Sequence, residues 1–237
     1  MLVEYYGVED NFCEWSYIHG VLEHLKLDDN FKIHVVSTTP EWDYREKVVL
    51  DKEKKNVIIG LADEWSSDNI PQEWKDNATV FKAYLKPEQE QGNVHSFPLG
   101  YNKKHTKLPN KPIQSRPIDV FFAGHMASTN RRHYLRWVID YFQDMPKSKR
   151  PKLDFNITRG FNTGLNGKEY SQKLHDAKIV VCPAGNVSME TFRHYEAMRS
   201  GAIVVSPKLP GTKIYKDAAI CQVDDWEGNY HKPRMRG

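Results

Sequence analysis

Glu190, Arg193 and Glu196 fall within seven residues, directly behind the small, flexible run Pro183-Ala184-Gly185-Asn186-Val187-Ser188. Carboxylates accept hydrogen bonds from sugar or ribose hydroxyls, and a guanidinium forks onto phosphate oxygens. Gly185 lets the backbone approach a ligand, and Ser188 is placed to cap a following helix. Simpler chemistry also accounts for parts of this stretch. An acid at a helix N-terminus is stabilised by the dipole, so capping alone explains Glu190. Arg199 is three residues beyond Glu196 and can pair with it. Glu196 nevertheless shares its stripe with Phe192, Tyr195 and Met198, and a carboxylate among apolar side chains needs a partner or a ligand.

A second group of this kind is Gly124-His125-Met126-Ala127-Ser128-Thr129-Asn130-Arg131-Arg132. Gly124 permits a sharp turn and a close approach. Ser128, Thr129 or Asn130 can cap the helix behind it, whose free N–H groups form an anion site. Arg131 and Arg132 add fixed charge there. His125 is positioned to touch a phosphate or a sugar. Arg159 follows another apolar run and is expected to point to the same edge. Solvated surface arginines are the alternative reading for all three.

These residues acquire meaning from the elements that carry them. Short apolar runs at residues 118–123, 153–157, 178–182, 202–206 and 218–223 read as strands. Helical spacing lies between them at 129–142, 168–176 and 190–200, the last closed by Gly201. Such alternation builds a parallel sheet with helices on its faces, and open sheets of this kind bind ligands at the carboxyl ends of their strands. The first half repeats the pattern less clearly. Strands are expected at 2–6, 31–36, 56–61, 79–85 and 94–99, and helices at 14–27 and 67–75. Residues 101–117 carry five Lys/Arg and three prolines with little apolar periodicity, which reads as a stiff linker. The expected organisation is a first lobe at 1–100, the linker at 101–117 and a second lobe at 118–237.

Composition is consistent with this. The chain has 237 residues, of which 39% are hydrophobic, enough for a buried core. Residues 1–116 hold 15 Lys/Arg against 19 Asp/Glu, a net −4, which leaves +7 for the remainder. A basic half joined to an acidic one points to an anion in the second half. Cys13, Cys182 and Cys221 are odd in number and far apart, which argues against a disulfide framework or a zinc site. No run approaches the roughly 18 apolar residues of a membrane span, and MLVEYYGVED is acidic where a signal peptide is basic. The expectation is a soluble, cytoplasmic protein with no membrane span and no nucleic-acid partner.

The string Tyr170-x-x-x-Leu174-x-x-Ala177-Lys178-Ile-Val-Val-Cys182-Pro183-x-Gly185, then Glu190-Thr-Phe-Arg193-x-Tyr195-Glu196-Ala197-Met198-x-Ser200-Gly201-Ala-Ile-Val-Val-Ser206, resembles the donor-binding half of exostosin-like glycosyltransferases. Phe122-Ala123-Gly124 followed by arginines is similar to the start of that lobe. The resemblance covers residues 118–210, and the chain departs from it in having Ile203-Val204-Val205 where a proline is frequent. It implies an α/β fold of two Rossmann-like lobes of the GT-B type with a cleft between them. It also implies a UDP-sugar as substrate, a glycan hydroxyl as acceptor, inversion at the anomeric carbon, and no metal or other cofactor. On this reading Glu196 matches the carboxylate that holds the donor ribose, and Arg193 an arginine near the diphosphate or sugar. Gly124, His125, Arg131, Arg159, Gly185, Ser188 and Glu190 complete the expected donor site.

An inverting transfer needs a base within reach of the acceptor hydroxyl. Two loops of the first half pair carboxylates with tryptophan, whose face can stack on a sugar. Asp63, in Ala62-Asp63-Glu64-Trp65, is the favoured base, with Glu64 and Trp65 toward the acceptor. Asp10 and Glu14, in Asp10-Asn11-Phe12-Cys13-Glu14-Trp15, are the alternatives, as base or as acceptor ligands. The competing functions are a nucleotide-sugar epimerase or hydrolase, and a sugar- or nucleotide-binding module without catalysis.

Overall fold

The computed structural model describes residues 2–26, 28–39, 42–61, 64, 70–126, 129–160, 163–185 and 187–223. The first half runs β1 (Leu2–Tyr6), α1 (Trp15–His24), β2 (Phe31–Thr39), β3 (Trp42–Asp43), β4 (Lys55–Leu61), α2 (Gln72–Asn77), β5 (Ala78–Lys82) and β6 (Val94–Ser96). The second runs β7 (Ile118–His125), α3 (Thr129–Gln143), β8 (Leu153–Thr158), α4 (Gly167–Asp176), β9 (Ala177–Val181), α5 (Phe192–Arg199), β10 (Ile203–Pro207) and β11 (Ile220–Val223). The protein is α/β, with two separate parallel sheets. Among the described residues no helix is long and apolar enough to cross a membrane.

Buried parallel strands read as continuous apolar runs because both faces are covered. In the second sheet Phe121, Ala123, Val180 and Val204 face Leu174 of α4 and Ala197 of α5. Val120, Phe122 and Val181 face the opposite way, against Tyr134, Leu135 and Val138 of α3. Consecutive phenylalanines thus serve opposite cores, as the two-residue period of a strand requires. Both are fully buried, so truncating either to alanine costs about 3–5 kcal/mol. The first sheet divides in the same way. Ile33, Val35, Ile59 and Leu61 meet Ile18 and Leu22 of α1, while Val36, Ile58 and Val80 meet Trp74 of α2.

The sheets differ in topology. The first has the order β1-β2-β4-β5-β6, with β3 antiparallel against the end of β2. Its parallel strands follow chain order without reversal, so it lacks the switch point at which open sheets bind nucleotides. The second has the order β11-β10-β9-β7-β8. Here the chain steps from β7 out to β8, returns to the other side of β7, and continues away through β9, β10 and β11. The reversal opens a crevice between the loops that follow β7 and β9.

Three expectations are corrected at the helices. Helix α2 occupies Gln72–Asn77 rather than residues 67–75, with Pro71 preceding it. Helix α1 stops at His24 rather than residue 27, where Leu25 turns to extended backbone. Helix α5 begins at Phe192 rather than Glu190, with Thr191 as its extended N-cap residue. His194 closes that start, its Nδ1 accepting from Thr191 N–H at 3.2 Å. Ser188 is therefore not the cap.

Residues 101–117 do not hang free. Their backbone donates from Asn102 to Glu196, from Thr106 to Ser171 Oγ and from Leu108 to His175 Nε2, at 3.1, 2.9 and 3.0 Å. Lys111 pairs with Asp176 at 2.7 Å. The buried Arg116 donates to the carbonyls of Ala177 and Ser200 at 2.8 and 2.9 Å. The segment is a strap laid across α4 and α5.

Candidate functional site

Arg193, in the first turn of α5, reaches back to β7. Its Nε and Nη2 donate to Ala123 O at 3.1 and 2.7 Å, and its guanidinium lies 4.9 Å from the Phe122 ring centroid. Among the described residues its buried Nη1 has no hydrogen-bond partner. Gly124 makes this approach possible, since a Cβ there would stand 2.6 Å from Arg193 Nη2. Arg131, at the start of α3, is 8% exposed. Its Nε donates to Ala184 O at 2.7 Å and its Nη1 to His125 O at 2.8 Å, which ties the loop after β9 to the end of β7. Desolvation lowers its pKa to about 10, with Arg193 adding to the shift and Glu64 opposing it. It remains cationic at neutral pH. Two guanidinium groups thus sit at the crevice of the second sheet.

The loop after β9 folds tightly. Gly185 N–H donates to Ser188 O at 2.7 Å, and Ser188 Oγ accepts from Glu190 N–H at 3.1 Å. Glu64, beyond the carboxyl end of β4 in the first half, enters this loop and accepts from Val187 N–H at 3.2 Å. The carboxyl edges of the two sheets therefore face each other, as a site shared between the halves requires.

Glu190 and Glu196 are 3% and 4% exposed. Glu190 accepts from Tyr195 OH at 2.7 Å and from Leu99 N–H at 3.4 Å, with the Tyr215 phenol beside it. Glu196 accepts from Tyr170 OH at 2.9 Å and from Asn102 N–H at 3.1 Å. Burial raises both carboxyls above the usual range, and these donors pull back against it. Arg199 is not the partner of Glu196: it lies 3.8 Å from the Tyr101 ring centroid and donates to His105 Nδ1 at 3.1 Å.

The other expected residues are dispersed. His125 is half-buried at the end of β7, paired in register with Thr158. Arg159 is exposed beyond the edge strand β8, one strand removed from the reversal. Glu14 is 1% exposed and immediately precedes α1, whereas Asp10 is solvent-exposed and pairs with Lys103 of the strap at 3.1 Å. Asp63, Trp65 and Ser128 lie outside the described residues. Among the described residues no group of three or more His, Cys, Asp or Glu side chains is arranged to hold a metal ion.

One residue of the facing edge was not foreseen. Tyr84, in the turn after β5, has φ of 55°, the left-handed conformation that non-glycine residues rarely adopt. Desolvation lifts its phenol well above the ordinary value, and Glu64, Glu14 and Glu190 add to the shift. Strained backbone of this kind costs about 1–3 kcal/mol and gathers at functional sites. Nothing in Ala83-Tyr84-Leu85 advertises it, because a glycine or asparagine is the usual marker. Tyr170 also acquires its place only in three dimensions, as the phenol that holds Glu196.

The arrangement combines fixed cationic donors and a tight loop on one side with carboxylates and a phenol on the other. It can hold an anion against the second half and hydroxyl groups between the halves. No protein-family model matches the sequence, and no curated protein matches it significantly.

Proposed function

We propose that this protein transfers a sugar from a UDP-sugar to a glycan hydroxyl, with inversion and without a metal. The observation that carries the reading is the pair of guanidinium groups at the β7/β9 reversal, facing a carboxylate from the first half. Arg131 and Arg193 neutralise the charge that develops on the departing diphosphate. Held on main-chain carbonyls, they need no reorganisation when that charge appears. The net +7 of the second half favours an anionic donor there. On this reading Glu196, held by Tyr170 OH and Asn102 N–H, is the carboxylate assigned to the donor ribose.

In the transfer a carboxylate of the first half takes the acceptor proton. The acceptor oxygen then bonds to the anomeric carbon as the bond to the diphosphate oxygen breaks, and that electron pair leaves with UDP. Asp63 is the favoured base, because its neighbour Glu64 reaches the facing loop of the second half. Glu14 is the second candidate.

The test is UDP release from UDP-sugars, with and without a panel of glycan acceptors and EDTA. Acceptor-dependent, EDTA-insensitive release supports the proposal. Asp63→Asn is expected to keep UDP binding while lowering release by about 100-fold. Full activity in that variant removes Asp63 as the base. Release without any acceptor means hydrolysis or epimerisation, and binding without release means a module that has no transfer chemistry.

A further inference from the structure

Residues 146–152 read Pro-Lys-Ser-Lys-Arg-Pro-Lys, which places four cations and no acid on seven residues. The stretch joins α3 to β8 through one turn of 3-10 helix at Lys147–Lys149, where Lys149 N–H donates to Pro146 O at 2.8 Å. Lys147, Lys149, Arg150 and Lys152 are all exposed. They stand at the amino-terminal edge of the second sheet. From there β8 runs six residues to the carboxyl edge, a span of about 20 Å. That exceeds the screening length of about 8 Å in physiological salt, so an anion in the crevice does not account for this charge.

We propose that this turn seats the protein on an anionic lipid surface and leaves the crevice at the opposite edge open to solution. The inference goes beyond the donor site and does not depend on it.

Three observations carry it. First, the charge is not neutralised by the acids around it. Asp119 and Asp154, near the starts of β7 and β8, pair with Lys178 and Lys173 at 2.7 and 2.5 Å. Asp144, two residues before the turn, offsets at most one of the four cations. Second, the charge is displayed as ammonium groups. Arg150 is engaged with the end of α3, donating from Nε to Met145 O at 2.8 Å and from Nη2 to Gln143 O at 2.5 Å. The three exposed lysines then carry the attraction. Ammonium groups on flexible stems answer the diffuse charge of lipid headgroups, whereas a phosphodiester backbone is better gripped by guanidinium forks. Third, an aromatic side chain lies beside the lysines. Tyr141, in the last turn of α3, is 48% exposed, and tyrosine is enriched where a membrane meets water. One short basic turn with a neighbouring aromatic suits a flat surface. A nucleic acid calls for a basic groove with several stacking rings.

The experiment is flotation of the intact chain with vesicles of phosphatidylcholine alone and of phosphatidylcholine and phosphatidylserine in a two-to-one ratio. The proteins are the wild type, the triple variant Lys147→Gln/Lys149→Gln/Lys152→Gln, and the same three positions changed to arginine. A fourth, Lys26→Gln/Lys52→Gln/Lys75→Gln, removes three exposed lysines of the first half and controls for net charge. The wild type is expected to float with the phosphatidylserine vesicles only, and to be released by high salt. Each lysine near an anionic surface strengthens binding about fivefold, so the glutamine triple at the turn should bind about 100-fold more weakly. The arginine triple and the first-half triple should bind as the wild type does. Arginine variants that bind normally show that a loss in the glutamine triple is a loss of charge and not of folding. The inference is overturned if the wild type floats with neither vesicle or with both equally, or if the first-half triple loses as much as the turn triple. A DNA duplex that binds the wild type more tightly than the vesicles do, and is lost in the turn triple, assigns the turn to nucleic acid and also overturns it.

Discussion

Six charged side chains around the candidate site hold main-chain groups. Arg116, Arg131 and Arg193 each donate to backbone carbonyls, and Glu64, Glu190 and Glu196 each accept from backbone amides. Two buried histidines are held by hydroxyl, guanidinium and main-chain groups, and must stay neutral there. His105 is bonded to Ser200 Oγ and Arg199, and His194 to Thr191 and Ser206 Oγ. Desolvation holds both at about 4, against 6.5 for a free imidazole, with the Arg199 charge adding at His105. Between those values the unfolded chain takes up protons that the folded chain does not. Their contribution is therefore complete above pH 6.5 and declines as pH falls toward 4, by about 1.4 kcal/mol per pH unit for each histidine. Glu190 and Glu196 work in the opposite sense. With raised values they retain protons in the folded state just above pH 4.5, which offsets part of the loss. Melting temperature should accordingly fall from pH 7 to pH 5, and less steeply in His105→Asn. A flat or rising profile over that window would contradict the assignment.

At the scale of elements, most strands and helices were legible because the second sheet is covered on both faces and its strands are unbroken apolar runs. Residues 118–123 and 129–142 were expected, and β7 and α3 cover Ile118–His125 and Thr129–Gln143. The boundaries that moved did so for local reasons. The start of α5 slipped because its closing residue is His194, not the Glu or Gln that marks a capping box in sequence. Helix α4 shows the recognisable form: Asn166 Oδ1 accepts from Glu169 N–H, and Glu169 Oε2 accepts from Asn166 N–H, both at 3.0 Å. That helix supplies Tyr170 to Glu196 and Ser171 and His175 to the strap, so its cap supports the site indirectly. Asn166→Ala is expected to lower stability by about 1 kcal/mol in urea denaturation, the usual value of such a cap. A loss under a few tenths would mean that tertiary packing alone sets the helix start. The strap has the proline and lysine content of a linker. Its partners on the second half lie 61 to 95 residues away, and no local pattern announces them.

At the scale of the molecule, the second half's part of the candidate site was visible as residue types, and the join between halves was not. Each half reaches the other through glutamates that meet backbone N–H groups: Glu64 to Val187, Glu190 to Leu99, and Glu90 to Lys213 at 3.0 Å. Phe192 and Tyr195 of α5 pack on the core of the first half. Contacts made by amides are open to any residue type on the donor side, which is why composition and spacing are silent about them. The consequence is that the carboxyl edges of two parallel sheets are held face to face around Arg131, Arg193 and Tyr84. If that junction is the donor site, a nucleotide must bind there through the arginines. The direct test is calorimetric titration of the intact chain and of Arg193→Ala with UDP. The account predicts one site per chain in the wild type and at least about tenfold weaker binding in the variant, with an unchanged far-ultraviolet spectrum, as loss of a charge-assisted phosphate contact implies. UDP binding that is indifferent to Arg193, or no binding by the wild type, would contradict it.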